Sequence, residues 1–170
     1  MGSRRQFFVI LASGCSLVPL VGWLASPLGT AAADGNPYPV RRSEEEWRAR
    51  LTPAQYRILR RRRTERAFSS PLDAEHRPGS FLCAGCGRAL FSSETKFDSG
   101  TGWPSFWQPL AGAVGTRVDL SWLMVRTEAH CANCGGHLGH VFEDGPAPTG
   151  LRYCMNGLAM AFEPWAPRAT

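Results

Sequence analysis

The spacing of apolar positions changes near residue 70. Before it, Trp47 and Leu51, then Tyr56, Ile58 and Leu59, recur at helical intervals. Ser43 followed by Glu46 fits a capping box and predicts a first short helix. Thr52-Pro53 predicts a second over about 54–63, with Thr52 as N-cap and proline at the first helical position. After residue 70 the runs are short and apolar or alternating, at 79–82, 118–126 and 151–162, with Gly, Pro, Asp and Ser clusters between them. That is the signature of strands and hairpins. No long helical period, internal repeat or low-complexity tract follows. The predicted class is mainly antiparallel β with short N-terminal helices.

Residues 1–33 break this pattern. They contain no acidic residue, open with Arg4-Arg5-Gln6-Phe7-Phe8, continue uncharged, and end at Ala31-Ala32-Ala33. A positive start, an apolar middle and a small-residue cleavage site define a secretory signal. Paired arginines before Phe-Phe are similar to the twin-arginine type, which exports folded proteins, so we expect an exported, periplasmic protein. The uncharged stretch is long enough to span a membrane if uncleaved, but Pro19 and Pro27 make it a poor helix. A lipoprotein signal ending at Cys15 is a further alternative. The expected organisation is signal 1–33, linker 34–42 and one folded domain at 43–166.

Composition adds little and excludes some classes. With 44% hydrophobic and 19% charged residues the chain is globular rather than disordered. The formal net charge is +5, of which Arg4 and Arg5 lie in the leader. The run of arginines at 60–63 reads as a solvated helix end; no basic stripe interleaved with aromatics supports nucleic-acid binding. Aromatics instead gather at Gly102-Trp103-Pro104-Ser105-Phe106-Trp107, as a pocket wall or core.

Six cysteines carry the chemistry. Cys83-Ala-Gly-Cys86-Gly and Cys131-Ala-Asn-Cys134-Gly are matching knuckles, each placing two thiolates on a tight turn that the trailing glycine tolerates. Four thiolates make a closed tetrahedral site for one structural Zn2+. Iron in the same cage, or two disulfides in an oxidising compartment, are the alternatives. A closed site leaves no open position for a substrate, so the metal is not expected to be the catalyst.

Cys154 is left over, and Cys15 departs with the leader if cleavage follows Ala33. A lone cysteine is either a buried hydrophobe or a reactive thiol, and Arg152 nearby favours the thiolate. His137 and His140 follow the second knuckle and read alone as structural histidines. Their company with a lone thiol and an aromatic Gly-Trp-Pro segment points instead to a site.

The ordered motifs Thr64-Glu65-Arg66-Ala67-Phe68-Ser69, Cys83-x-x-Cys86, Lys96-Phe97-Asp98-Ser99-Gly100, Gly102-Trp103-Pro104-Ser105-Phe106, Cys131-x-x-Cys134-Gly-Gly-His137-Leu-Gly-His140-Val-Phe142 and Arg152-Tyr-Cys154-Met-Asn156 resemble the B-type methionine-R-sulfoxide reductases. The resemblance covers about Ser43 to Pro164. It implies two antiparallel sheets in a tent-like arrangement. It implies Cys154 as the nucleophile on the sulfoxide sulfur, and His140, supported by His137, as the group that holds and protonates the sulfoxide oxygen. Asn156 would position that site, and Trp103 with Phe142 would cradle the S-methyl group. The chemistry suits these types: a sulfoxide oxygen leaves only when protonated, and imidazole titrates near neutrality. A soft thiolate attacks sulfur, leaving a sulfenic acid on the enzyme.

Many members of that family carry a second, resolving cysteine where this chain has Thr101. A one-cysteine cycle is therefore expected, with a small thiol or a thioredoxin-like partner as reductant. Resolution by Cys15 in an uncleaved protein is the alternative. Outside this class, a zinc-stapled module that binds oxidised partners has no use for Cys154 alongside His140 and Asn156. A general thiol oxidoreductase would need knuckle thiols free of metal.

Overall fold

The computed structural model describes residues 37–166, apart from the side chain of residue 122. The signal segment, Cys15 and the first residues of the linker lie outside the described residues. Among the described residues no helix is long and apolar enough to cross a membrane.

Both capping boxes form. Ser43 Oγ accepts from Glu46 N–H and starts α1 (Glu44–Arg50); Thr52 Oγ1 accepts from Gln55 N–H and starts α2 (Pro53–Leu59). The second helix stops well before residue 63. Arg62 enters the left-handed region at φ 53°, and the N–H groups of Arg62 and Arg63 return to the carbonyls of Ile58 and Arg57. Arg61, Arg62 and Arg63 are exposed, as the solvated-end reading expects, yet three of the four arginines also have specific partners. Arg60 stacks over Trp47, Arg61 bonds Glu44, and Arg62 reaches the buried Glu128.

Among the described residues nine strands follow: β1 (Gly79–Cys83), β2 (Ala89–Ser92), β3 (Lys96–Phe97), β4 (Ser105–Phe106), β5 (Val114–Asp119), β6 (Arg126–Cys131), β7 (His137–Phe142), β8 (Arg152–Met155) and β9 (Met160–Pro164). They form two antiparallel sheets, ordered β2-β1-β9 and β3-β4-β8-β7-β6-β5. The expected class, two antiparallel sheets with short N-terminal helices, is the observed one.

Two apolar runs conceal breaks. The run 118–126 holds the turn between β5 and β6, which includes the 3-10 segment Ser121–Leu123, and its described apolar side chains face solvent: Leu120 is 69% exposed and Leu123 fully so. The run 151–162 holds two strands of different sheets, split at Gly157–Ala159. Buried Glu65 fixes that corner by accepting from the N–H groups of Gly157 and Leu158.

The core lies between the sheets. Phe91 stacks on Phe106 at 4.2 Å, and Phe81 meets Phe106 edge-on at 4.9 Å. All three rings are fully buried. Directly paired residues on adjacent antiparallel strands share a face, and successive residues alternate. One row of the six-stranded sheet is Val118, Thr127, Val141, Tyr153 and Phe106, and through Phe106 it meets the core. The next row is Arg117, Glu128, His140, Cys154 and Ser105, and it faces the other way.

Candidate active site

That second row is the site. β8 runs between β4 and β7, so Cys154 is paired with Ser105 on one side and His140 on the other. β7 can approach β8 this closely because residue 139 is glycine; a Cβ there would collide with the Cys154 carbonyl. Cys154 and its neighbours are therefore placed by strand register rather than by loops.

A cavity of about 150 Å³ opens over the row and is lined by Thr64, Trp103, Arg126, Gly139, His140, Phe142, Cys154 and Asn156. It gathers five residues named from the sequence: Cys154, His140, Asn156, Trp103 and Phe142. His137 does not line it. It stands fully buried behind His140, ring centroids 5.4 Å apart.

Each histidine has its own carboxylate, and the sequence pointed to neither. His140 Nε2 lies 2.8 Å from Asp119 Oδ2, which also accepts from Arg126 at 3.0 Å. The Ser121 hydroxyl, with His140, holds Asp119 well below the usual carboxylate range. Asp119 is thus ionised, and His140 donates to it. Burial lowers the pKa of His140, and Asp119 opposes that without cancelling it, so the resting imidazole is neutral at neutral pH. His137 Nδ1 lies 2.8 Å from Glu128 Oε1, and Arg117 grips Glu128 with two nitrogens at 2.8 and 2.9 Å. Burial pushes Glu128 up, but the bonds from His137 and Arg117 outweigh it and the carboxylate stays ionised. That fixes the proton of His137 on Nδ1 and leaves Nε2 buried without a partner.

Asn156 does not reach into the cavity with a free amide. Its Oδ1 accepts from Glu65 N–H and its Nδ2 donates to Leu138 C=O, both at 2.9 Å, which ties the chain after α2 to β7. Trp103 is held by Nε1 donating to Glu65 C=O at 3.3 Å. Phe142 lies under the Arg152 guanidinium at 4.4 Å, and Arg152 is clamped in turn by Asp144 at 2.7 and 2.8 Å. Burial raises the pKa of Cys154; Arg152, then Thr101 and Ser105, oppose the rise.

The four knuckle cysteines converge elsewhere. Both turns are built alike. Gly87 N–H returns to Cys83 C=O and Gly135 N–H to Cys131 C=O, each at 2.8 Å, with φ of 76° and 68° at the two glycines. The sulfurs all lie within 4.8 Å of one another, with Cys83–Cys134 at 3.7 Å and Cys86–Cys131 at 3.6 Å. Sulfurs about 2.3 Å from a tetrahedral metal are about 3.8 Å apart, so the cage fits such an ion. All four thiols are free, and the short distances run between knuckles, not within them. One knuckle follows β1 and the other follows β6, so the cage joins the two sheets. Asn133 Nδ2 donates to Cys86 Sγ at 3.4 Å, and Arg60 donates to Cys134 C=O at 3.1 Å. Tyr38 and Val40, at the start of the described chain, lie against the second knuckle.

Comparison with known proteins agrees with this geometry. The family model described as the SelR domain matches residues 51–164. The chain is 56% identical over 124 residues to the peptide methionine sulfoxide reductase MsrB of Bradyrhizobium diazoefficiens, covering 72% of this chain and 89% of that protein. It is 54% identical over 127 residues to MsrB of Leptospira interrogans, covering 74% and 97%. It is 54% identical over 125 residues to MsrB of Methanosarcina barkeri, covering 73% and 88%. A buried His–carboxylate pair beside a strand-borne thiol, a cysteine cage joining two sheets, and these matches lead to one conclusion: the chain belongs to the SelR-domain family of B-type peptide-methionine (R)-S-oxide reductases.

Proposed function

We propose that Cys154 performs the reduction of methionine-R-sulfoxide, free or within a polypeptide, in a one-cysteine cycle. The observation that carries this is the direct pairing of Cys154 with His140 across β7 and β8, both lining a cavity walled by Trp103 and Phe142. The Cys154 thiolate attacks the sulfoxide sulfur while the site delivers protons to the oxygen. Oxygen passes to Cys154 as a sulfenic acid. The substrate sulfur gains two electrons and leaves as the thioether, and the enzyme sulfur loses two. His140, neutral at rest and backed by ionised Asp119, gains basicity when the developing charge calls for an imidazolium, and so relays the proton. His137, bonded to Glu128, packs behind His140 and steadies its ring. Two external thiols, or one dithiol of thioredoxin type, then return the sulfenic acid to thiol, yielding a disulfide and water. Thr101 stands 3.9 Å from Cys154 and has no sulfur to do this internally.

Turnover of an R-sulfoxide with dithiothreitol, measured before and after Cys154→Ser, tests the assignment. Loss of activity is expected, and undiminished turnover would overturn it. Mass spectrometry of enzyme oxidised without reductant tests the cycle: a sulfenic-acid adduct on Cys154 is expected, and an internal disulfide would refute it.

The cage of Cys83, Cys86, Cys131 and Cys134 is assigned to one structural Zn2+, on the strength of the all-thiolate donor set and the sulfur spacing. A bound zinc would supply a cross-link between the sheets and no step of the reaction. The leader is assigned to twin-arginine export to the periplasm, on the sequence of residues 1–33. A mature N-terminus at Asp34 is the expected result of sequencing the exported form.

A further inference from the structure

Behind Cys154 lies a line of hydroxyls that the reaction above does not use. Thr101 Oγ1 is 3.9 Å from Cys154 Sγ, and Ser99 Oγ is 2.8 Å from Thr101 Oγ1. Ser99 Oγ is also 2.8 Å from Ser105 Oγ, and the buried Ser105 donates to Trp103 C=O at 3.1 Å. Ser105 is in addition the direct cross-strand partner of Cys154. A hydroxyl has one proton to give, so the end of the line decides the direction of the whole. With Ser105 committed to the Trp103 carbonyl, Ser99 donates to Ser105, Thr101 donates to Ser99, and the Cys154 S–H donates to Thr101. That order suits a thiol. It does not suit a thiolate, which has no hydrogen to give and needs donors.

We propose that Thr101 is a catalytic residue that reverses its hydrogen bond when Cys154 ionises, donating to the thiolate while Ser99 turns to donate to Thr101. The claim rests on the reading of Cys154 as the nucleophile and deepens it. Ser99 is a positioning residue that acts through Thr101; Ser105 fixes the far end of the line and also faces the sulfur itself. The line carries no proton away, because the Trp103 carbonyl at its end accepts a hydrogen bond without taking up a proton; the thiol proton leaves to solvent by way of the cavity. The charged and titratable groups around the sulfur are Arg152 on its own strand, His140 on β7 and, across the cavity, Arg126 on β6. β4 offers it only the hydroxyl of Ser105. Two hydrogen-bond polarities thus coexist at one threonine, and the loop 99–101 serves the thiolate without a second sulfur.

Alkylation of Cys154 by iodoacetamide in the full metal-loaded protein, followed by peptide mass spectrometry across the neutral and alkaline range, tests this. Thr101→Val keeps the shape and removes the hydroxyl. It is expected to alkylate about tenfold more slowly at neutral pH, the equivalent of one hydrogen bond to a charged group, with its midpoint displaced to higher pH. Thr101→Ser is expected to restore the wild-type profile. Ser99→Ala keeps Thr101 and breaks the line behind it; a displacement in the same direction, but smaller, is expected. Wild-type rates and midpoints in both Thr101→Val and Ser99→Ala would overturn the proposal. Alkylation reads the thiol without turnover, so this result is independent of the Cys154→Ser experiment, which alone decides the nucleophile.

Discussion

At the scale of single residues, what was legible was the chemistry-bearing side chain and what was hidden was its partner. Cys154, His140 and Trp103 could be picked out because a lone thiol, paired histidines and an aromatic segment are unusual locally. Asp119 and Glu128 could not, because each meets its histidine only through strand register. Asp119→Asn is expected to lower kcat/KM about tenfold or more, since His140 loses the charge that orients it and supports its imidazolium. The same variant changes acid stability. Folding lowers the pKa of Asp119, so its contribution is complete above the ordinary carboxylate value of about 3.9 and is lost as pH falls through and below it. Denaturation midpoints measured against pH should therefore fall less steeply in acid for Asp119→Asn than for the wild type. Thr101→Cys makes the opposite use of a short distance. With 3.9 Å already separating Oγ1 from Cys154 Sγ, the introduced thiol is expected to form a disulfide with Cys154 after one turnover without reductant, detectable as the loss of two thiols.

Among the elements, caps announced themselves and breaks did not. Ser43 with Glu46, and Thr52 with Gln55, start both helices through purely local bonds. The end of α2 and the corner inside 151–162 are hidden because distant groups impose them: Glu128 engages Arg62, and Glu65 engages the amides of Gly157 and Leu158. The turn inside 118–126 is local, with Asp119 accepting from Ser121 N–H, but the apolar residues around it mask that signal. An apolar run also misled at 118–126, where Leu120, Leu123 and Val125 face solvent instead of marking a buried strand. Gly139 shows how far one element depends on the next. Gly139→Ala would force β7 from β8 at the point where His140 meets Cys154. We expect a destabilisation of at least about 2 kcal/mol in chemical denaturation, with activity reduced even where the protein remains folded.

For the whole molecule, the antiparallel β class followed from short alternating runs, and the two sheets followed from the family resemblance. The two knuckles were plain in the sequence, yet that they end strands of different sheets was not. The cage is therefore expected to stabilise the pairing of sheets more than either sheet alone. Stripping the proposed zinc with a strong chelator, or substituting Cys83→Ala, should abolish cooperative thermal unfolding and expose the Phe81–Phe91–Phe106 core to a hydrophobic dye. Strand content by circular dichroism would decline less than tertiary signal. Retention of a cooperative transition at the wild-type temperature would show the cage to be dispensable.

The row of Glu128, His140, Cys154 and Ser105 runs across four neighbouring strands, so the proposed reacting groups are fixed to backbone paired within a sheet. Their amides should consequently be among the slowest in the protein to exchange with deuterium, unlike those of enzymes whose catalytic groups sit on lids. Such a centre has no softer state in which to fail early. Heat should leave it working until the sheet itself melts, so inactivation and unfolding are one event.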